Sequence, residues 1–147
     1  MSLGCSVLVE AAGPLSVTFH RAFDRVRDME EAWADLLETG CNRVLTSGLA
    51  GDAFTGRHHL AWLQKASEAA GGKVTILPGG GISEANVQQI AAATGVREFH
   101  FSGIRQVPSR MDWQPKWANA WADTWVPAPE KVRAIRQQLE SHYNEIR

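Results

Sequence analysis

The sequence predicts an α/β fold in which parallel strands form part of a β/α barrel. Three observations carry that expectation. Apolar runs recur at VTFHRAF (17–23), RVLTSG (43–48), VTILPGGG (74–81) and EFHFSG (98–103). The segments between them have helical periodicity, and strands alternating with helices imply parallel pairing through right-handed crossovers. Alternate residues of the runs then sort onto two unlike faces. Val17, Phe19, Val44, Val74, Ile76, Phe99 and Phe101 make an apolar face suited to a cover of helices. Thr18, His20, Arg43, Leu45, Ser47, Thr75, Leu77, Glu98, His100 and Ser102 make the other. That second face is too polar for a sheet covered by apolar helices on both sides. It suits a barrel interior, where Arg43 and Glu98 are expected to pair.

Taken in order, SVLVEAAG (6–13) reads as the end of a helix whose preceding strand is absent. The first run closes on His20, Arg21 and Asp24. A helix then opens at Asp28 with Glu31 in capping-box spacing, buries Ala32, Trp33, Leu36 and Leu37, and stops at Gly40. The next helix carries Leu60, Leu63 and Ala66 toward Gly71 and Gly72. Ser83 opens another, with Val87, Ile90 and Ala91 inward and Gly95 at its end. Pro129 begins a last helix marked by Val132, Ile135, Leu139 and Ile146. Before it, MDWQPKWANAWADTW (111–125) repeats tryptophan at positions 113, 117, 121 and 125. As a helix this spacing makes a bulky stripe, interrupted by Pro115; as an irregular loop it would cover apolar surface.

The 147 residues fit one domain, and 44% hydrophobic with 21% charged residues is a globular balance. A net charge of -1 offers no field for nucleic acid or an anionic membrane. No apolar run approaches the roughly 18 residues of a membrane span, and the start MSLGCSVLVE lacks the features of a signal peptide, so a cytoplasmic location is expected. Cys5 and Cys41 lie too far apart in sequence to suggest a disulfide framework or a zinc site.

Chemistry concentrates at the carboxyl ends of the runs, where barrel sites are built. His20, Arg21 and His100 are the catalytic candidates: acid/base groups and an anion clamp, with Asp24 to orient them. Gly79, Gly80 and Gly81 lead toward a helix start and would let backbone amides approach an anion. Ser47, Ser102 and Gly103 complete the expected ligand-binding set. The same residues also admit a plainer reading, in which the glycines serve a tight turn and the histidines bond within the lumen. Arg105 is a further anion contact or a solvated loop residue. His58, His59 and His142 read as surface or interface residues.

At VTFHRAFD, RVLTSG, PGGGI with Asn86 following, GVREFHFS and PEKVRAIR, the chain closely resembles the CutC copper-homeostasis family. The resemblance implies a TIM-type β/α barrel, cytosolic residence, frequent dimers and a role in copper homeostasis or copper binding. It carries over to His20, Arg21, Ser47, Gly80, Gly81, His100 and Ser102. Copper enters by this resemblance alone, and no metal ligand is assigned. The family usually reads serine-alanine-arginine after its last strand; FSGIR here displaces the arginine and sets Arg105 apart. The resemblance covers only the C-terminal half of a barrel, about four strands of eight, and a full barrel takes about 250 residues. The expected assembly is therefore a homodimer of half barrels or a complex with a missing N-terminal half. The function stays between copper binding and a rim that binds, or acts on, a phosphate- or carboxylate-bearing small molecule.

Overall fold

In a computed structural model, residues 2–110, 112–113 and 123–146 are described. Helix α1 spans Ser2–Ala12 and β1 only Thr18–Phe19. A 3-10 turn follows at Arg21–Arg25, then α2 at Met29–Thr39, β2 at Arg43–Thr46 and α3 at Arg57–Ala69. The chain continues through β3 at Thr75–Pro78, α4 at Val87–Thr94, β4 at Ile104–Pro108, β5 at Asp123–Pro127 and α5 at Pro129–Glu145. Strands β1, β2 and β3 pair in that order, all parallel.

The two-face pattern explains the packing. Val44, Val74 and Ile76 are buried beneath the helices, joined by Ala32, Trp33 and Leu36 of α2, Leu60 and Leu63 of α3, and Val87 and Ile90 of α4. The opposite face of the sheet is open: Arg43, Leu45, Thr75 and Leu77 are half-buried, and Thr18 and His20 are exposed. Arg43 donates from Nε to Glu98 at 2.6 Å and from Nη1 to Ser16 at 2.6 Å, so the expected ion pair forms on this open face.

Helix boundaries follow the local signals in two cases and depart from them in one. The Asp28 carboxylate accepts from the amides of Glu30 and Glu31 and caps α2, while Gly40 ends it at φ 79°. Gly95 closes α4 in the same way, at φ 74°. Helix α4 itself begins at Val87, four residues beyond the expected Ser83. The Asn86 side chain accepts from the Ser83 amide and donates to the Gly81 carbonyl, which holds 83–86 as a turn before the helix.

Two further expectations need correction. The 98–103 run is not a full fourth strand; it joins β3 by a single parallel bridge, Gly79 to His100, with the His100 amide donating to the Pro78 carbonyl at 2.9 Å. Pro78 has no N–H to offer, and Gly80 at φ 106° turns β3 out of the sheet, so the ladder cannot lengthen there. The tryptophan-rich segment is neither helix nor irregular loop where it ends: Trp125 lies in β5, which pairs antiparallel with β4. Trp117 and Trp121 lie outside the described residues.

Candidate functional site

The site is organised by one carboxylate. Asp24, in the 3-10 turn, has a side chain only 7% exposed and reaches across to the end of β2. Its Oδ1 accepts from the Thr46 hydroxyl at 2.5 Å and from the amides of Ser47 at 3.0 Å and Leu49 at 3.2 Å. Its Oδ2 accepts from Arg21 Nε at 2.7 Å and stands 2.9 Å from the Ser47 hydroxyl. Burial pushes this carboxyl up, but hydrogen bonds from Thr46, Arg21 and Ser47 outweigh it and hold the group below the ordinary aspartate range. Leu49, which Asp24 grips by its amide, is in the left-handed region at φ 57°, a conformation that costs a non-glycine residue about 1 kcal/mol or more.

Through this brace Arg21 is aimed at the glycine loop. Its Nη2 donates to the Ser47 hydroxyl at 2.6 Å, and its guanidinium lies where a Cβ on Gly80 would meet Nη1 at 3.0 Å. The three glycines have different physical reasons. A Cβ on Gly79 would strike Leu45 at 2.5 Å; Gly80 and Gly81 adopt positive φ, and Gly81 also lies against Asp52. The Ala53 amide donates to the Gly80 carbonyl at 2.9 Å, tying the loop after β2 to the loop after β3. Arg21, Ser47, Gly80 and Gly81 are thus brought together at the carboxyl ends of adjacent strands. A cleft of about 390 Å3 opens beside them, lined by Asp52, Phe54, Gly81, Asn86 and Gln89.

His100 borders this cluster through Gly79, and both it and Ser102 are exposed. Gly103 leads away to α5: its carbonyl accepts from the Ala128 amide at 2.8 Å, and the Lys131 ammonium bonds the next carbonyl, of Ile104, at 3.0 Å. His20 is not paired with His100. Strands β2 and β3 stand between them, a separation of about 14 Å along a sheet with strands some 4.8 Å apart. By register His100 also lies two positions nearer the rim. His20 Nδ1 accepts from the Ala22 amide at 3.0 Å, so the neutral ring carries its proton on Nε2 and presents a donor there.

Arg105 is directed elsewhere, in β4 with its guanidinium 3.6 Å from Glu130. His59 Nδ1 contacts the Gly48 carbonyl at 2.8 Å, and His142 packs edge-on against Tyr143. Cys41 is buried in the core and Cys5 is partly exposed on α1; both are free thiols. Among the described residues no group of three or more His, Cys, Asp or Glu side chains is disposed to hold a metal ion. Nor is any described helix long and apolar enough to cross a membrane.

Sequence reasoning placed Asp24 beside the site but missed its partners, Thr46 and the Leu49 amide. The signal available was the hydroxyl pair Thr46 and Ser47 at the end of β2, level with a carboxylate in the preceding loop.

Parallel strands under a layer of helices, with polar loops and an arginine–aspartate brace at their carboxyl ends, define an α/β protein with a candidate site on the strand rim. The CutC family model matches residues 3–105, and this chain belongs to the CutC family. It is 37% identical over 138 residues to a CutC family protein of Bacteroides fragilis, covering 91% of this chain and 54% of that one. Over 107 residues it is 46% identical to a relative from Chromobacterium violaceum, covering 73% of this chain and 42% of the other. The chain thus spans about half the length of these relatives. A crystal structure of a CutC from Streptococcus agalactiae, named for copper homeostasis, superposes with a TM-score of 0.55 at 30% identity. That match covers 64% of this chain and 45% of the other.

Proposed function

We propose that this chain is half of a TIM-type β/α barrel, acting in the cytoplasm in the copper-homeostasis role for which its family is named, through a rim that binds a small phosphate- or carboxylate-bearing molecule. The observation that carries the reading is the Arg21 guanidinium, held by Asp24 and Ser47 and laid against Gly80. A guanidinium fixed by two partners is pre-organised for a planar or tetrahedral anion, because little side-chain freedom remains to be lost. Gly80 and Gly81 leave the adjacent backbone uncovered, Ser102 adds a hydroxyl, and His20 and His100 supply exposed imidazoles for proton transfer to different parts of a ligand. The open face with its Arg43–Glu98 pair supports the barrel reading, since such a pair on an uncovered sheet suits a lumen closed by further strands.

Direct copper ligation is the second reading, favoured by the family name and by the partly exposed thiol of Cys5. Two titrations separate the two. Calorimetry with inorganic phosphate is expected to show binding that weakens at least about tenfold in Arg21→Gln, the loss of one charge-assisted contact, and in Gly80→Ala, whose Cβ would push the guanidinium aside. Titration with Cu(I) is expected to show no stoichiometric uptake, either before or after Cys5→Ser and Cys41→Ser. Unchanged phosphate affinity in Arg21→Gln would overturn the anion reading, and stoichiometric Cu(I) binding that is lost in Cys5→Ser would carry the second reading instead.

A further inference from the structure

Two side chains of opposite charge flank the glycine loop at consecutive residues. A Cβ on Gly80 would meet Arg21 Nη1 at 3.0 Å, and a Cβ on Gly81 would meet the Asp52 Cβ at 3.2 Å. With one peptide unit between the two glycines, the guanidinium and the Asp52 Cβ are at most about 13 Å apart. They do not neutralise each other. Arg21 is ion-paired with Asp24, whereas the Asp52 carboxylate has no cationic partner among the described residues. Its Oδ1 accepts from the Thr55 amide at 2.8 Å and its Oδ2 from the Thr55 hydroxyl at 3.1 Å. These bonds hold the carboxyl below the ordinary aspartate range, so it is charged at neutral pH. A neutral acceptor would cap the same amide, so the turn itself does not require the negative charge.

The cleft beside the loop has the same bias. Asp52 is the one charged side chain among its lining residues, and no base joins it. Asn86 is committed at both ends of its amide, to Ser83 and Gly81, which leaves Asp52, the Phe54 ring and the exposed Gln89 amide to face a ligand. An aromatic ring beside a carboxylate favours a cation, and Phe54 already attracts one: the Arg57 guanidinium stacks 4.5 Å from its centroid while Nη1 donates to the Phe54 carbonyl at 2.8 Å. Resting on the anion reading above, we infer that the ligand of this rim is a small zwitterion, its phosphate or carboxylate on Arg21 and an ammonium group on Asp52 beside Phe54. Asp52 is then the residue that sets specificity, because it attracts the ammonium and repels a second anion. Allowing about 3 Å for each contact, a ligand whose own charges stand about 5–8 Å apart bridges the two residues.

Calorimetry at neutral pH with inorganic phosphate, propyl phosphate and 3-aminopropyl phosphate tests this. The amino compound is expected to bind about tenfold more tightly than propyl phosphate, the gain of one charge-assisted contact. Asp52→Asn, which keeps an acceptor for the Thr55 amide and is checked for native circular dichroism, should abolish that preference while binding inorganic phosphate no more weakly. Gln89→Lys, at an exposed position of the same cleft, should reverse the preference without touching the Asp52 turn. Arg21→Gln should weaken all three. Equal affinity for the two organic phosphates, or a preference that persists in both Asp52→Asn and Gln89→Lys, overturns the ammonium site and leaves the anion reading standing. Failure of the unsubstituted chain to bind any of the three overturns the anion reading itself, and the zwitterion with it.

Discussion

Asp24 is the residue on which the rim depends, because it joins Arg21, Thr46, Ser47 and Leu49 through five hydrogen-bonding contacts described above. Replacing it with asparagine keeps the shape but removes the charge that Arg21 and the amides recognise. Asp24→Asn is expected to lower stability by about 1.5–3 kcal/mol at neutral pH, the range for hydrogen bonds to a charged group, as measured by urea unfolding. The sign with pH follows from the depressed carboxyl. Its contribution is complete above the ordinary aspartate value of about 3.9 and is lost as pH falls below that through the folded value. The gap between wild type and Asp24→Asn should therefore shrink below about pH 4; a gap that widens there would contradict the assignment. The sequence made Asp24 visible as a carboxylate near the rim but not as its hub, because apart from Arg21 its partners, Thr46, Ser47 and Leu49, lie more than twenty residues away.

At the scale of elements, local signals were legible wherever the partners are near in sequence. The Asp28 cap and the Gly40 stop of α2 involve neighbours within a few residues, and both lie where the sequence predicts them. Asp28→Ala is expected to cost about 1 kcal/mol, read by thermal unfolding, since two α2 amides lose their acceptor. The start of α4 was misplaced because Ser83 and Asn86 are both good capping residues, and only the contact of Asn86 with the Gly81 carbonyl decides between them. The β4–β5 hairpin escaped notice for the same kind of reason. Tryptophan spacing left a helix and an irregular loop both open, while pairing between 104–108 and 123–127 depends on cross-strand partners the spacing does not reveal.

For the whole molecule, the period-two pattern of the runs identified the buried and open faces correctly at Val44, Ile76, Arg43 and Leu77, even though the 98–103 run adds one bridge where a strand was expected. Face assignment survives because it depends on strand geometry alone, whereas strand length depends on what lies beyond the edge. The open face, with Arg43 and Leu45 half-buried and Thr18 exposed, is the observation on which the half-barrel proposal rests. The candidate histidines illustrate the limit. Their common face was legible, but their separation across β2 and β3 was not, since strand order enters only with pairing.

The claim on which the functional account rests is that an anion binds at the rim beside Arg21 and the glycine loop. Amide chemical shifts recorded while phosphate is added report on that place directly. The account predicts that Gly80, Gly81 and Ser102 shift together, saturably, and that the response disappears in Arg21→Gln. Saturable shifts confined to other parts of the chain, or an unaltered response in Arg21→Gln, would contradict it.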